Sequence, residues 1–254
     1  MSITMLAGIP ADLKNNPLVN PARTPHQTPE FSKIKIEHYA PAFDYALQLA
    51  RADIDAIVGN PAAPTFENTV VAMERSGELL NRVSSIFFVL DGNETSDKMQ
   101  ALAIEIQPKL VEFYNDVNLN PVLWKRVKAV YDGRANLKLT TEQAKLLEET
   151  YKSFVRSGAD LSDADKETYR KLSTELANLN LTFGQNVLAA DNAFTINITD
   201  PAEVAELPEF VRDAMASDAK SRGEKGWTVT LHVASMVPFL TYSSNRDYKE
   251  RLYK

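Results

Sequence analysis

The sequence predicts a mainly α-helical protein, a bundle of long helices with a small α+β segment of two short strands near the C-terminus. Three observations support this fold class. Residues 122–200 contain no proline, so long helices can run there. Apolar residues in that stretch recur at spacings of three and four, which is the period of a helix that buries one face. After residue 190 the apolar residues alternate with polar ones, which is the period of a strand.

The N-terminal residues 1–41 are predicted to form a proline-rich arm that is extended rather than helical. Each proline fixes φ and removes a backbone donor, and six of the 13 prolines lie here. They are Pro10, Pro17, Pro21, Pro25, Pro29 and Pro41. A helical domain is predicted over residues 42–190. Residues 191–254 are predicted to form a small strand–helix–strand segment that runs into a truncated helix.

Capping residues mark three helix starts within the helical domain. Thr65 follows a proline pair and is suited to an N-cap, and a single helix is predicted behind it. Its apolar face consists of Phe66, Val70, Met73, Gly77, Leu80 and Phe87. Asn120 is followed by Pro121, the arrangement typical of an N-cap with proline at the first helical position. Thr140 with Gln143 predicts a capping box.

The clearest helical pattern follows Ser162, where a helix over about residues 163–189 would be roughly 40 Å long. Its apolar residues recur every three or four positions: Tyr169, Leu172, Leu176, Leu179, Phe183 and Val187. We interpret this stripe as core packing rather than as the seam of a partner-binding coiled coil, because the loops predicted around it are short.

Two strands are predicted to pair in the C-terminal segment, with a helix over residues 208–222 between them. Their alternating apolar residues are Phe194, Ile196 and Ile198 in the first strand and Trp227, Val229, Leu231 and Val233 in the second. Residues 245–254 have the charged, amphipathic pattern of a helix start without a C-terminal stop signal. We therefore expect the chain to end inside an element, as a truncated protein would.

Composition excludes several classes of protein. The net charge of -6 and the pI of about 5.2 argue against binding to a nucleic-acid backbone, which requires a clustered basic surface. The absence of cysteine excludes disulfides, thiolate metal sites, iron–sulfur clusters and a thiol nucleophile. The apolar runs are too short to span a membrane. No basic residue precedes the apolar start of the chain, so we predict a cytoplasmic protein, or a periplasmic one if a signal peptide was removed before residue 1.

Residues suited to catalysis are few, and we assign no catalytic, cofactor-binding or metal-binding residue. The three histidines are His26, His38 and His232, and none is spaced as in the HExxH pattern of zinc peptidases. Glu37 and His38 match half of the inverted HxxEH pattern, but residue 34 is isoleucine. No G-x-S-x-G elbow and no glycine-rich phosphate loop occur. The carboxylate pairs Glu148–Glu149 and Asp163–Asp165 are typical of solvated helix faces and helix starts.

Several segments along the whole chain resemble one family, the zinc metallopeptidases of the thimet oligopeptidase type. They are residues 16–18 (NPL), 29–35 (PEFSKIK), 37–43 (EHYAPAF), 64–77 (PTFENTVVAMERSG), 154–159 (FVRSGA), 161–162 (LS), 183–187 (FGQNV) and 245–253 (NRDYKERLY). The segment 64–77 is more similar to the peptidyl-dipeptidase (dipeptidyl carboxypeptidase) branch than to the oligopeptidase A branch. The matching segments are those of the N-terminal region of the family.

The resemblance implies a helical fold in which two lobes enclose a deep channel that admits short, unfolded peptides. In this family zinc is held by the two histidines of HExxH and a later glutamate, all in the C-terminal half, and no residue here matches them. The resemblance therefore implies an N-terminal, non-catalytic part of a zinc-dependent peptidyl-dipeptidase, which releases C-terminal dipeptides from short peptides. This part would form some of the channel wall and hold no zinc itself. Its partners would be short peptides and the missing C-terminal catalytic half.

An alternative hypothesis is a standalone helical module, with a binding or regulatory role and no peptidase activity. An open reading frame that continues past Lys254 and encodes HExxH would favour the fragment, whereas a stop codon would favour the module. A fragment is also expected to expose apolar surface where its missing half docked.

Overall fold

The computed structural model describes residues 8–20 and 24–254, and the chain divides into two compact units. The first unit ends at Leu179 and the second is Asn180–Lys254. Helices dominate, and the strands in the described residues form one antiparallel pair, which confirms the predicted fold class. The predicted domain boundaries at residues 41 and 190 stay a prediction. No described helix has both the length and the apolar composition needed to cross a bilayer.

The helices of the first unit are α1 (Tyr39–Val58), α2 (Ala72–Glu74), α3 (Glu78–Asn93), α4 (Asp97–Asn118), α5 (Pro121–Asp132), α6 (Thr141–Arg156) and α7 (Asp163–Ala193), which continues into the second unit. The elements of the second unit that follow are β1 (Thr195–Ile198), α8 (Glu209–Ser221), β2 (Trp227–Thr230), α9 (Val233–Tyr242) and α10 (Arg246–Tyr253).

The segment before α1 contains short 3-10 turns, so the prediction of an extended arm is wrong where the structure describes it. The turns are Ala11–Leu13, Pro25–Gln27, Phe31–Lys33 and Ile36–His38. Pro41 lies in the first turn of α1, where the missing N–H of proline breaks no intrahelical hydrogen bond. Residues 1–7 and 21–23, including Pro21, lie outside the described residues.

This N-terminal segment packs onto the first unit through Asn16 and Arg82. The Asn16 Nδ2 donates to the carbonyl of His38 at 2.8 Å, and its Oδ1 accepts from the N–H of Leu18 at 2.9 Å. The Arg82 guanidinium donates to the carbonyls of Leu18 and Val19 at 2.9 and 2.8 Å. Because Leu18 and Val19 are also fully buried, this part of the segment belongs to the core.

The core of the first unit is centred on Phe87 of α3, which is inaccessible to solvent. Its ring meets Tyr39 and Phe43 of α1 edge-on, with centroid distances of 5.0 and 5.6 Å. The edge of each ring thus faces the π surface of its neighbour, which is the favoured geometry of aromatic pairs. These contacts hold α1 against α3.

The helix predicted behind Thr65 begins as expected but does not continue to Phe87. The Thr65 hydroxyl accepts from the N–H of Asn68 at 3.0 Å, and Asn68 Oδ1 accepts from the N–H of Thr65 at 2.8 Å. One π-helical turn, Phe66–Val71, follows and leads into α2. Gly77 then adopts a left-handed φ of 66° and interrupts the run before α3. Glycine accepts this conformation because it has no Cβ.

The predicted starts of α5 and α6 are confirmed. The Asn120 Oδ1 accepts two backbone N–H groups at 3.0 Å, those of Val122 and Leu123. Thr140 and Gln143 form the reciprocal capping box, with distances of 3.2 and 3.0 Å. Both caps satisfy backbone donors that a helix start leaves without intrahelical partners.

In the second unit β1 and β2 pair antiparallel, as predicted, with Ile196 opposite Val229. The prediction that the second strand extends to Val233 is wrong. The strand ends at Thr230, whose N–H donates to the Ser235 hydroxyl at 3.1 Å, and α9 begins at Val233. The side chains that fill the core of this unit are Ile196, Ile198, Val204, Leu207, Val211, Met215, Val229, Phe239 and Leu252.

The turn into β2 depends on Gly226. Its φ is 84°, and a Cβ added at this residue would lie 2.2 Å from the carbonyl oxygen of Ile198. Gly223, three residues earlier, has a φ of 73°, but a Cβ there would meet nothing within 4 Å. The backbone of the turn therefore approaches the end of β1 too closely for any side chain at residue 226.

Candidate functional site

The three histidines lie in separate local settings. His26 is exposed in a 3-10 turn, with a φ of 57°. His38 immediately precedes α1, and its Nδ1 accepts the backbone N–H of Lys35 at 3.0 Å. His232 was predicted to lie on the second strand, but it is the exposed N-cap residue of α9. Across residues 8–20 and 24–254, no three His, Asp or Glu side chains are grouped so that they could hold a metal ion. The described residues therefore do not fit a zinc centre.

The carboxylates singled out in the sequence occupy exposed positions. Glu148 and Glu149 of α6 pair with Lys145 and Lys152 across single helical turns. Hydrogen bonds from these lysines lower the pKa values of both glutamates, so each carboxyl stays ionised at neutral pH and is unsuited to act as a general acid. Asp165 accepts from the Ser162 hydroxyl at 2.7 Å, at the start of α7. These carboxylates stabilise helices.

A small cavity lies beside the π-helical turn of the first unit and has a volume of about 260 Å³. Its wall includes the carboxylates of Asp53 and Glu67, the Arg75 side chain and the apolar side chains of Ile57 and Val71. Asp53 Oδ2 accepts the N–H of Gly77 at 3.3 Å. The buried Asp53 therefore helps to fix the left-handed residue that immediately precedes α3.

Arg126 of α5 is a buried cation that sequence reasoning missed, because its position resembles that of any exposed helical arginine. It is 7% exposed and donates to the carbonyls of Asn60 and Ala62 at 2.9 and 3.2 Å, and to Asn68 Oδ1 at 3.1 Å. These hydrogen bonds hold the loop between α1 and the π-helical turn. Arg126 thus has a structural role.

The candidate functional surface is the apolar stripe of α7, and the interpretation of this stripe as core packing is wrong. We define the α7 stripe as Leu172, Leu176, Leu179, Phe183 and Val187. Their exposed fractions run from 42% at Val187 to 70% at Phe183, and none of the 31 residues of α7, all of which are described, is buried. The start of the helix at residue 163 is as predicted, and its end at Ala193 lies four residues beyond the predicted one.

The face of α7 that meets the rest of the first unit is polar. Arg170 donates to Asp116 of α4 at 2.8 Å, and the same carboxylate accepts from Arg51 of α1 at 2.7 Å. Beside this pair, Asn115 Nδ2 donates to the Ser173 hydroxyl at 2.9 Å. At 100° per residue, residue 170 lies about 140° from the middle of the α7 stripe, and residue 173 lies about 80° from it, at the flank of the stripe. Within the first unit α7 is therefore docked through polar side chains, while Leu172, Leu176 and Leu179 of the α7 stripe are exposed.

We expect the Asp116→Ala variant to weaken the packing of α7 on α4, because Arg51 and Arg170 both lose this carboxylate as a partner. Each pair is partly exposed, so the combined loss should be about 1 kcal/mol in the free energy of unfolding. Urea denaturation measures this loss of stability, and backbone amide hydrogen exchange should be faster around Ser173 in the variant. As a control, Asp132→Ala removes only the exposed Lys128 pair within α5 and should cost less. Equal losses in the two variants would contradict this role of Asp116.

Comparison with known proteins gives a family match within the first unit. The family model for the N-terminal domain of neurolysin and thimet oligopeptidase matches residues 45–166. This range extends from α1 to the start of α7.

Curated relatives match most of the chain. Dipeptidyl carboxypeptidase of Escherichia coli is 37% identical over 239 residues, which are 94% of this chain and 35% of that protein. The protein of the same name from Salmonella typhimurium is 37% identical over 95% of the chain and 36% of its own length. Oligopeptidase A of Escherichia coli is 30% identical over 93% of the chain and 35% of its own length.

The chain therefore spans about a third of the length of these relatives. The higher identity to dipeptidyl carboxypeptidase than to oligopeptidase A agrees with the branch that residues 64–77 predict. The relatives are named as peptidases, and the resemblance found in the sequence segments is confirmed. Residues 45–166 are thus similar to the N-terminal domain of neurolysin and thimet oligopeptidase, and most of the chain is similar to about a third of proteins that are named as peptidases.

Proposed function

We infer that the chain is the non-catalytic N-terminal part of a zinc-dependent peptidyl-dipeptidase, which hydrolyses short peptides and releases C-terminal dipeptides. The observation that carries this proposal is the 37% identity to dipeptidyl carboxypeptidase over 94% of the chain. Short peptides would be the substrates of the whole enzyme, and the remaining C-terminal half would be the chain's main partner. The proposed cytoplasmic location, with a periplasmic alternative, rests on the N-terminal sequence alone.

The zinc ligands of the whole enzyme would lie outside these 254 residues. The sequence contains no HExxH, and His38 already uses its Nδ1 as an acceptor for the N–H of Lys35. The described residues also offer no group of three suitable ligands. The contribution proposed for this chain is therefore structural: its helices form part of the wall of the substrate channel. This channel role rests on the family resemblance.

The test of this proposal is a peptidase assay on the purified chain. With a blocked tripeptide and added zinc, we expect no hydrolysis that a chelator abolishes, because the chain lacks the residues that activate water at zinc. A longer polypeptide from the same reading frame, carrying HExxH, should release the C-terminal dipeptide and should lose this activity with chelator. Chelator-sensitive hydrolysis by the 254-residue chain would contradict the proposal. A stop codon after Lys254 would favour the standalone module instead.

A further inference from the structure

We draw no further inference here: the strongest candidate, the exposed apolar patch where the Phe210 ring of α8 meets the Tyr242 ring of α9 in the second unit, carries nothing, because the chain spans only about a third of its relatives and nothing in the structure shows what covers the patch.

Discussion

Replacing Phe87 by alanine should lower the free energy of unfolding by about 3–5 kcal/mol, the range for removing a buried phenylalanine ring. Phe87 is 0% exposed and contacts the rings of Tyr39, Phe43 and Phe88, with centroid distances between 5.0 and 5.6 Å. The variant removes these contacts and leaves a cavity between α1 and α3. Urea denaturation followed by circular dichroism measures the loss.

The matched control for Phe87→Ala is Val89→Ala, two residues further along the same helix. Val89 is 56% exposed, so its truncation should change the free energy of unfolding by less than about 0.5 kcal/mol. A loss below about 1 kcal/mol for Phe87→Ala would contradict the packing of α1 on α3, since such small values are typical of surface residues.

Replacing Gly226 by alanine should destabilise the second unit by more than about 3 kcal/mol, as expected where a strained φ and a severe steric clash combine. The added Cβ would lie 2.2 Å from the carbonyl oxygen of Ile198, so the turn and the end of β1 must separate. The register of β1 with β2 begins at this turn, where Ile198 pairs with Trp227. Trp227 fluorescence should therefore change along with the loss of stability.

Gly223→Ala separates the steric clash from the backbone strain. Gly223 also has a positive φ, of 73°, but an added Cβ meets nothing within 4 Å. This control should cost only the strain of a left-handed alanine, about 1–2 kcal/mol. If the two glycine variants lose the same stability, the close approach of Gly226 to Ile198 has no energetic effect.

The sequence predicted features that depend on neighbouring residues. The caps at Thr65, Asn120 and Thr140 were identified correctly because each is a hydrogen bond between residues two or three positions apart. The paired strands were found for a similar reason, since alternation is visible within a few residues. The end of the second strand was not found, because the alternation continues to Val233 while the Ser235 hydroxyl already binds the N–H of Thr230.

Features that depend on distant residues were not predictable in this way. The periodicity of α7 shows that one face is apolar, but it contains no information on which face docks. The docked face depends on Asp116 of α4, which accepts hydrogen bonds from Arg51 of α1 and from Arg170 of α7. For the candidate site, the family segments indicated the kind of protein that the chain resembles. The periodicity of the α7 stripe favoured core packing, whereas its side chains are exposed.

The hydrogen bonds of Arg126 limit where the chain can be shortened. The loop after α1 takes its conformation from a guanidinium that is 66 residues away from Asn60. A piece of the protein that ends before α5 would lack this donor, and the carbonyls of Asn60 and Ala62 would lose their partner. The loop would then lose the three hydrogen bonds from Arg126 that hold its conformation. The smallest portion that preserves this region therefore extends through α5, although the loop itself is only a few residues long.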